Sequence, residues 1–244
     1  MTVIEGYTFS GCSDLTEVDL PSGLTNIGDS AFYACRSLET IDIPAGVTEI
    51  GSWAFCRCYA LTSVTLPEGV TVIEGYTFSG CSDLTEVDLP SGLTSIGDSA
   101  FNACQSLETI DIPAGVTEIG SWAFCWCDAL TSVVLPEGLT RIERGLFASC
   151  SALESVVIPA GVTWVGDEAF EGCPSLTEVY YGGTAAQWQK VELDSYRGDV
   201  IIDVHTKAQV CFYSEQEPPA GTDATGYDGK YWRWADGRPL IWEK

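Results

Sequence analysis

Residues Leu84–Cys104 read LTEVDLPSGLTSIGDSAFNAC, and variants of this stretch recur along most of the 244-residue chain. The period is 23 residues, as the spacing of the closing cysteines shows. The members of this cysteine series are Cys12, Cys35, Cys58, Cys81, Cys104, Cys127, Cys150 and Cys173. Self-similarity at a fixed period of about 20–50 residues is the signature of a repeat architecture. The sequence therefore predicts a stack of similar coils.

Eight positions in each coil stay small or apolar. In the quoted coil they are Leu84, Val87, Leu89, Leu93, Ile96, Ala100, Phe101 and Cys104. Glu86 and Asp88 alternate with the first of these residues, which predicts a strand with an apolar inner face and a polar outer face. In seven coils a proline follows this strand and can end it, because proline has no N–H for the sheet. A second, weaker extended segment at 93–96 and one helical turn at 100–104 are expected to complete the coil.

One coil alone is not expected to fold. Its eight buried side chains contribute about 1.5–3 kcal/mol each, which does not offset the ordering of 23 residues at about 1.5 kcal/mol each. The coils must therefore stack. At an inter-strand spacing of about 4.8 Å, eight coils give a parallel sheet about 38 Å long.

The pattern Leu-x-x-Val-x-Leu-Pro-x-Gly-Val-Thr-x-Ile-Gly-x-x-Ala-Phe-x-x-Cys closely resembles the BspA-like, or Treponema-type, leucine-rich repeats of bacterial proteins. The resemblance covers roughly residues 2–180. It implies a right-handed superhelix, a location on the cell surface or in the secreted fraction, and a role in protein binding or adhesion. The repeat pattern carries no catalytic residues, so the resemblance implies no enzyme activity.

These patterns together predict a repeat solenoid that is mainly β with short helical turns. We expect about eight coils of 23 residues over residues 1–180, the first incomplete, and a β-rich C-terminal cap over residues 181–244. Residues 3–70 recur at 72–139 with few changes, an offset of three coils. This near-identity indicates a recent duplication or construction by design. Either origin argues against a unique active site in these coils.

The chain carries 35 acidic and 11 basic residues, for a formal net charge of −24. Phosphate repulsion excludes nucleic acid as a partner, and an anionic lipid surface is disfavoured for the same reason. A cationic or host-derived protein, a neutral glycan and divalent cations are compatible with this charge. No apolar stretch approaches the length of a membrane span, and Met1 leads into repeat sequence without a signal peptide.

The outward strand positions are the first candidate binding surface. Its predicted members are Glu17, Asp19, Asp42, Glu86, Asp88, Asp111 and Tyr180. Two interpretations are left open, a solvated face that resists aggregation and a docking surface for a cationic protein. The outward positions of the last three coils become more apolar, and the C-terminal extension is a candidate to cover them. The first coil lacks its first half, so either upstream residues are missing or this end pairs with something, for example a second copy.

The cysteines are interpreted as buried small hydrophobes, since parallel stacked side chains point poorly for disulfides. Cys56, Cys125 and Cys211 stand outside the series, and any thiol reactivity is expected to be theirs. No spacing indicates a zinc site or a cofactor. The single histidine, His205, has no nucleophile motif near it, and the tripeptide Arg197–Asp199 is a weak integrin-type signal.

The extension beyond residue 180 leaves the repeat period. Thr184 is predicted to cap a short helix that ends near Lys190, and residues 200–204 and 210–213 are predicted strands. Asp236-Gly237 between apolar runs predicts a hairpin. Three aromatic residues at this hairpin form an alternative ligand platform for a sugar or a quaternary ammonium group. They are Trp232, Trp234 and Trp242. The chain is thus expected to be a non-enzymatic binding or adhesion module, or alternatively a glycan- or choline-type binder with the solenoid as spacer.

Overall fold

A computed structural model of the protein describes residues 1–194, 208–214, 231–235 and 238–241. The repeats wind into a β-solenoid of about nine turns with almost no helix. The predicted leucine-rich repeat solenoid is thus confirmed. Its fold follows from the repeat, because each buried position of one coil lies against the same position of the next.

The strands are short, and the described residues contain one helix. In chain order the elements are β1 Val3–Ile4, β2 Asn26–Ile27, β3 Glu49–Ile50, β4 Ser63–Thr65, β5 Val72–Ile73, β6 Glu86–Asp88, β7 Ser95–Ile96, β8 Glu118–Ile119, β9 Ser132–Val134, β10 Arg141–Ile142, β11 Ser155–Ile158, β12 Trp164–Val165, β13 Glu178–Tyr181, α1 Ala185–Trp188, β14 Glu192–Leu193, β15 Gln209–Tyr213, β16 Tyr231–Ala235 and β17 Arg238–Ile241.

The first strand of each coil builds one face of the solenoid, here called the first-strand face. Strands β4 and β6 pair in parallel, and β9, β11, β13, β15, β16 and β17 form a sheet of six in which only β16 and β17 run antiparallel. The predicted inward and outward sides are confirmed in β6, because Val87 is buried while Glu86 and Asp88 are exposed. Residues 40–42 and 109–111 follow the same path without forming strands.

The second extended segment of each coil builds another face, here called the second-strand face. Its two-residue strands are β1, β2, β3, β5, β7, β8, β10, β12 and β14, and their pairs are parallel. Ile27 lies opposite Ile4 and Ile50, each 23 residues away. The weaker extended segment predicted at 93–96 is confirmed as β7, which is shorter than expected.

The expected helical turn at 100–104 is wrong. This segment is a series of turns in which Ser99 and Ala103 take left-handed backbone angles, with φ of 53° and 58°. The Phe101 N–H donates to the Ala123 oxygen of the next coil at 2.9 Å, and the Cys104 N–H donates to the Phe101 oxygen at 3.2 Å. Successive N–H groups thus bond alternately to the next coil and within their own coil. A helix would direct all of them along its own axis.

The core is a set of rows that run the length of the stack. The phenylalanine rings of neighbouring coils lie nearly parallel, and Phe101 is 5.5 Å from Phe78 and 5.5 Å from Phe124 between ring centroids. The series cysteines line the same core beside these rings. Each thiol from Cys35 onward donates to the phenylalanine oxygen 26 residues earlier, at 3.0–3.3 Å. The cysteine row therefore links each coil to its neighbour.

The chain beyond residue 180 extends this architecture. The short helix is confirmed as α1, where the Thr184 side chain accepts from the Gln187 N–H in a capping box. The strand at 210–213 is confirmed as β15, and the hairpin is confirmed by the antiparallel pairing of β16 with β17. The strand predicted at 200–204 lies outside the described residues.

Candidate binding surfaces

The acidic side chains of the first-strand face are placed as the sequence predicts. Glu17, Asp19, Asp42, Glu86, Asp88 and Asp111 are all exposed. Glu86 and Asp88 lie on β6, and the other four lie on the corresponding extended segments of three further coils, where alternation likewise directs every second side chain outward. Within this exposed face, the Asp88 carboxylate accepts a hydrogen bond from the Thr65 hydroxyl at 3.0 Å.

A shallow depression of about 350 Å³ lies on this face beside Asp42. It is lined by Ile41, Thr65 and Pro67 among others, so acidic and apolar groups meet there. The depression lies between residues 40–42 and β4, two segments that form no strand ladder with each other. The first-strand face is thus acidic over its N-terminal part and uneven in shape.

Tyr180 does not belong to this exposed surface, and its prediction as a contact residue is wrong. Only 5% of it is exposed, because Trp232 packs edge-on against its ring at 5.6 Å. Val157, Tyr180, Cys211 and Trp232 form a separate buried cluster on the outer side of β11, β13 and β15. Burial and the hydrogen-bonded Glu178 carboxylate raise the pKa of Tyr180 well above its ordinary value. The C-terminal strands therefore cover the apolar end of the face.

The structure describes the side chain of one member of the predicted aromatic platform, Trp232, and this side chain is buried. The Trp232 side chain is 1% exposed and its indole N–H donates to the Tyr181 carbonyl at 3.0 Å. Its second neighbour is the Tyr213 ring, 5.1 Å away. Trp232 thus seals the sheet and offers no open ring face. The side chain of Trp234, and Trp242 altogether, lie outside the described residues, as do His205 and residues 197–199.

The expectation about thiol reactivity is also wrong. Cys56, Cys125 and Cys211 are buried, at 2%, 3% and 0% exposure, and the exposed cysteine is Cys12, the first of the series. Burial raises the pKa of the Cys56 and Cys125 thiols to about 11. Each of Cys56 and Cys125 lies two residues before a cysteine of the buried series, and the residue between the two cysteines, Arg57 or Trp126, has a left-handed backbone angle.

Sequence reasoning missed a trough on the second-strand face. This trough has a volume of about 940 Å³ and runs across the coils from Trp53 to Arg141. One end is an aromatic pair, in which the rings of Trp53 and Tyr76 stack at 3.9 Å with an angle of 7°. Its acidic lining residues are Glu74, Asp98, Glu118 and Glu143. The signal that could have revealed it is the row of aromatic residues at the same place in several coils.

Arginine and aromatic side chains meet repeatedly along this side of the molecule. The Arg144 guanidinium lies 5.6 Å from the Trp122 ring centroid and 3.1 Å from the Glu168 carboxylate. The Arg141 guanidinium lies 3.8 Å from the Trp164 ring centroid and pairs with Glu143 at 2.9 Å. These two arginines make the ion pairs found in the described part of the chain.

The same described ranges hold no group of three or more histidine, cysteine, aspartate or glutamate side chains placed to bind a metal ion. The one helix in these ranges, α1, is not long and apolar enough to cross a membrane.

Comparison with known proteins places the chain among bacterial repeat proteins. A leucine-rich repeat protein from Bacteroides ovatus is 26% identical with a TM-score of 0.65, over 86% of this chain and 63% of that one. The leucine-rich repeat protein of T. pallidum is 32% identical with a TM-score of 0.52, over 72% and 71%. A leucine rich cell surface protein from Faecalibacterium prausnitzii is 25% identical with a TM-score of 0.50, over 80% and 83%.

The chain thus spans less than two thirds of the Bacteroides ovatus structure. The comparison with curated protein sequences found no match. The family described as BspA type Leucine rich repeat region (6 copies) matches residues 1–91 and 71–191, which is most of the chain. This protein therefore belongs to the BspA-type leucine-rich repeat family.

Proposed function

We propose that this chain is a non-enzymatic protein-binding module of a bacterial surface or secreted protein, which serves in adhesion by binding a cationic protein on its first-strand face. The observation that carries the proposal is the set of exposed carboxylates on that face, among them Glu17, Asp42, Glu86 and Asp88. Exposed charges of one sign attract an oppositely charged surface and speed its association. An extended sheet surface of this kind suits a broad protein contact.

Two further observations support the proposal. The near-identity of residues 3–70 and 72–139 repeats the acidic positions in two blocks, as Glu17 and Glu86 show. Repetition increases the area that one partner can contact, whereas a catalytic centre needs a single set of different groups. One similar structure is described as a leucine rich cell surface protein, which agrees with a surface location.

Binding to immobilised hen lysozyme, a cationic protein, tests the proposal. We expect the double variant Glu86→Gln/Asp88→Asn to bind more weakly than the wild type, and added salt to weaken both. The matched control is Glu49→Gln/Glu192→Gln, which removes the same charge from exposed positions of the second-strand face outside the trough. The control should bind like the wild type. Equal weakening in the two double variants would show that net charge, and not this face, determines binding.

A further inference from the structure

Just beyond the second repeat block, residues 72–139, lies an arginine that the protein holds with its own side chains. Arg144 lies against the Trp122 ring, and its guanidinium pairs with Glu168 at 3.1 Å and lies 4.0 Å from Asp167. An aromatic face and carboxylates together are a favourable setting for a guanidinium group, which is planar, weakly hydrated and able to bind carboxylates through several N–H groups. The molecule thus displays a complete arginine site.

The equivalent positions 69 residues earlier, between Trp53 and Ser99, form an incomplete copy of the same site. At an offset of 69 residues, Trp53 corresponds to Trp122, Asp98 to Asp167, and Gly75 to Arg144. The ring and one carboxylate are therefore kept, while glycine stands where the arginine would be. Two other positions differ, because Tyr76 replaces Gly145 and stacks on Trp53, and Ser99 replaces Glu168.

This incomplete copy opens into the trough. Trp53, Gly75, Tyr76 and Asp98 all line it, and both rings are half-buried. The carboxylates of Glu74, Asp98 and Glu118 have no ion pair within the described residues, whereas Glu143 at the far end is paired with Arg141. The Trp53 end of the trough is therefore negatively charged and aromatic, and it lacks the cation present in the other copy.

We propose that the trough binds an arginine side chain of a partner protein, with its guanidinium against the Trp53–Tyr76 ring pair and the Asp98 carboxylate. The copy filled by Arg144 argues for arginine, since the Trp122 ring, the paired Glu168 carboxylate and the nearby Asp167 carboxylate already surround that side chain in the same protein. The site lies on the second-strand face and so goes beyond the proposed function, which concerns the acidic first-strand face.

Titration with N-acetyl-arginine amide tests the proposal directly. The measured signal is the indole N–H resonance of Trp53 in ¹⁵N-labelled protein, assigned by its loss in Trp53→Phe. We expect this resonance to shift and saturate with the arginine probe. N-acetyl-citrulline amide has nearly the same shape without the charge, and it should cause no saturable shift. Equal binding of the two probes would overturn the proposal.

Aspartate variants supply a matched comparison. Asp98 accepts the Ser121 N–H at 2.8 Å, and Asp29 accepts the Ser52 N–H at 2.9 Å in the corresponding place of an earlier coil. Asp29 does not line the trough although Ser52 does, so Asp29→Asn perturbs the same structural hydrogen bond without removing a carboxylate from the trough. We expect Asp98→Asn to weaken binding of the arginine probe by up to about fivefold, the upper end of the range for one exposed ion pair. Equal weakening by Asp29→Asn would show that the carboxylate acts through the fold.

A variant in which the protein supplies the arginine itself, Gly75→Arg, gives the most specific test. A Cβ atom added at Gly75 would lie 3.4 Å from its nearest neighbour, the Asp98 backbone carbonyl oxygen, which is an ordinary contact distance. The backbone of Gly75 also has no left-handed angle that would strain a side chain. Gly75→Arg should therefore fold and place its guanidinium in the trough, beside Asp98 and the Trp53–Tyr76 ring pair. We expect this variant to lose the arginine titration while Gly75→Ala keeps it. A folded Gly75→Arg protein, shown by an unchanged thermal midpoint, that still binds the probe normally would contradict the proposal.

The two surfaces can be distinguished by the same variants. If Glu86→Gln/Asp88→Asn loses lysozyme binding but keeps a normal arginine titration, only the function of the first-strand face is affected. If Asp98→Asn weakens the arginine titration but keeps normal lysozyme binding, only the function of the trough is affected. Failure of either proposal thus leaves the other testable.

Discussion

The Cys104 thiol donates a hydrogen bond to the Phe78 carbonyl oxygen at 3.3 Å, across 26 residues and two neighbouring coils. The same oxygen also accepts the Cys81 N–H at 3.1 Å. Cysteine at this place is therefore both a small core residue and a weak donor that joins one coil to the next.

Cys104→Ala removes this contact without orphaning the oxygen. We expect a loss of about 1–2 kcal/mol in the free energy of unfolding, from one hydrogen bond and a small apolar volume. Urea denaturation measures it. Cys12→Ala is the matched control in the same cysteine series, and because Cys12 is exposed it should cost little. Equal costs at the two positions would argue against the stacked role of the thiol.

The phenylalanine row predicts a larger effect. Phe101 is fully buried between Phe78 and Phe124, so Phe101→Ala should cost about 3–5 kcal/mol as a large-to-small core change. Asp88→Ala, on the exposed side of β6, should change the free energy of unfolding by less than about 0.5 kcal/mol. Similar losses in the two variants would refute the assignment of inner and outer faces.

Thiol labelling tests the placement of the cysteines. Ellman's reagent should modify one thiol quickly in the native protein, and Cys12→Ser should abolish that fast phase. The remaining thiols are buried and should react only after unfolding. A fast phase that persists in Cys12→Ser and disappears in Cys56→Ser/Cys125→Ser would restore the expectation drawn from sequence.

Alkaline pH should destabilise the protein through its buried thiols. Burial raises the pKa of Cys56 and Cys125 to about 11 from an ordinary value of 9.0. Between these values the unfolded chain has released protons that the native protein keeps, so stability that is full below pH 9 falls as pH rises towards 11. Urea midpoints at pH about 8 and about 10.5 should show this fall. The fall should be smaller in Cys56→Ala/Cys125→Ala, and an equal fall would assign it to other groups.

Much of the fold follows from the sequence because the 23-residue period fixes which side chains stack. Alternation around Val87 predicts the outward direction of Glu86 and Asp88 correctly, since it depends only on strand geometry. The capping box at Thr184 is predicted for a similar reason, as it is a local interaction between residues close in the chain.

The remaining errors come from contacts that are distant in sequence or from backbone angles that the residue types do not reveal. Trp232 covers Tyr180 across 52 residues, and nothing near either residue indicates this contact. Left-handed angles at Ser99 and Ala103 replace the helical turn, although neither is a glycine. The trough depends on substitutions between copies, such as Gly75 for Arg144, whose importance appears only when the coils are stacked.

Zero-length cross-linking of carboxylates to lysozyme amines, read by mass spectrometry, tests the central claim of a binding face most directly. The account predicts cross-links at Glu17, Asp19, Asp42, Glu86, Asp88 and Asp111 of the first-strand face, and few at Glu49 and Glu192, which are also exposed and lie on the second-strand face outside the trough. Cross-links spread over both faces in proportion to exposure would contradict it.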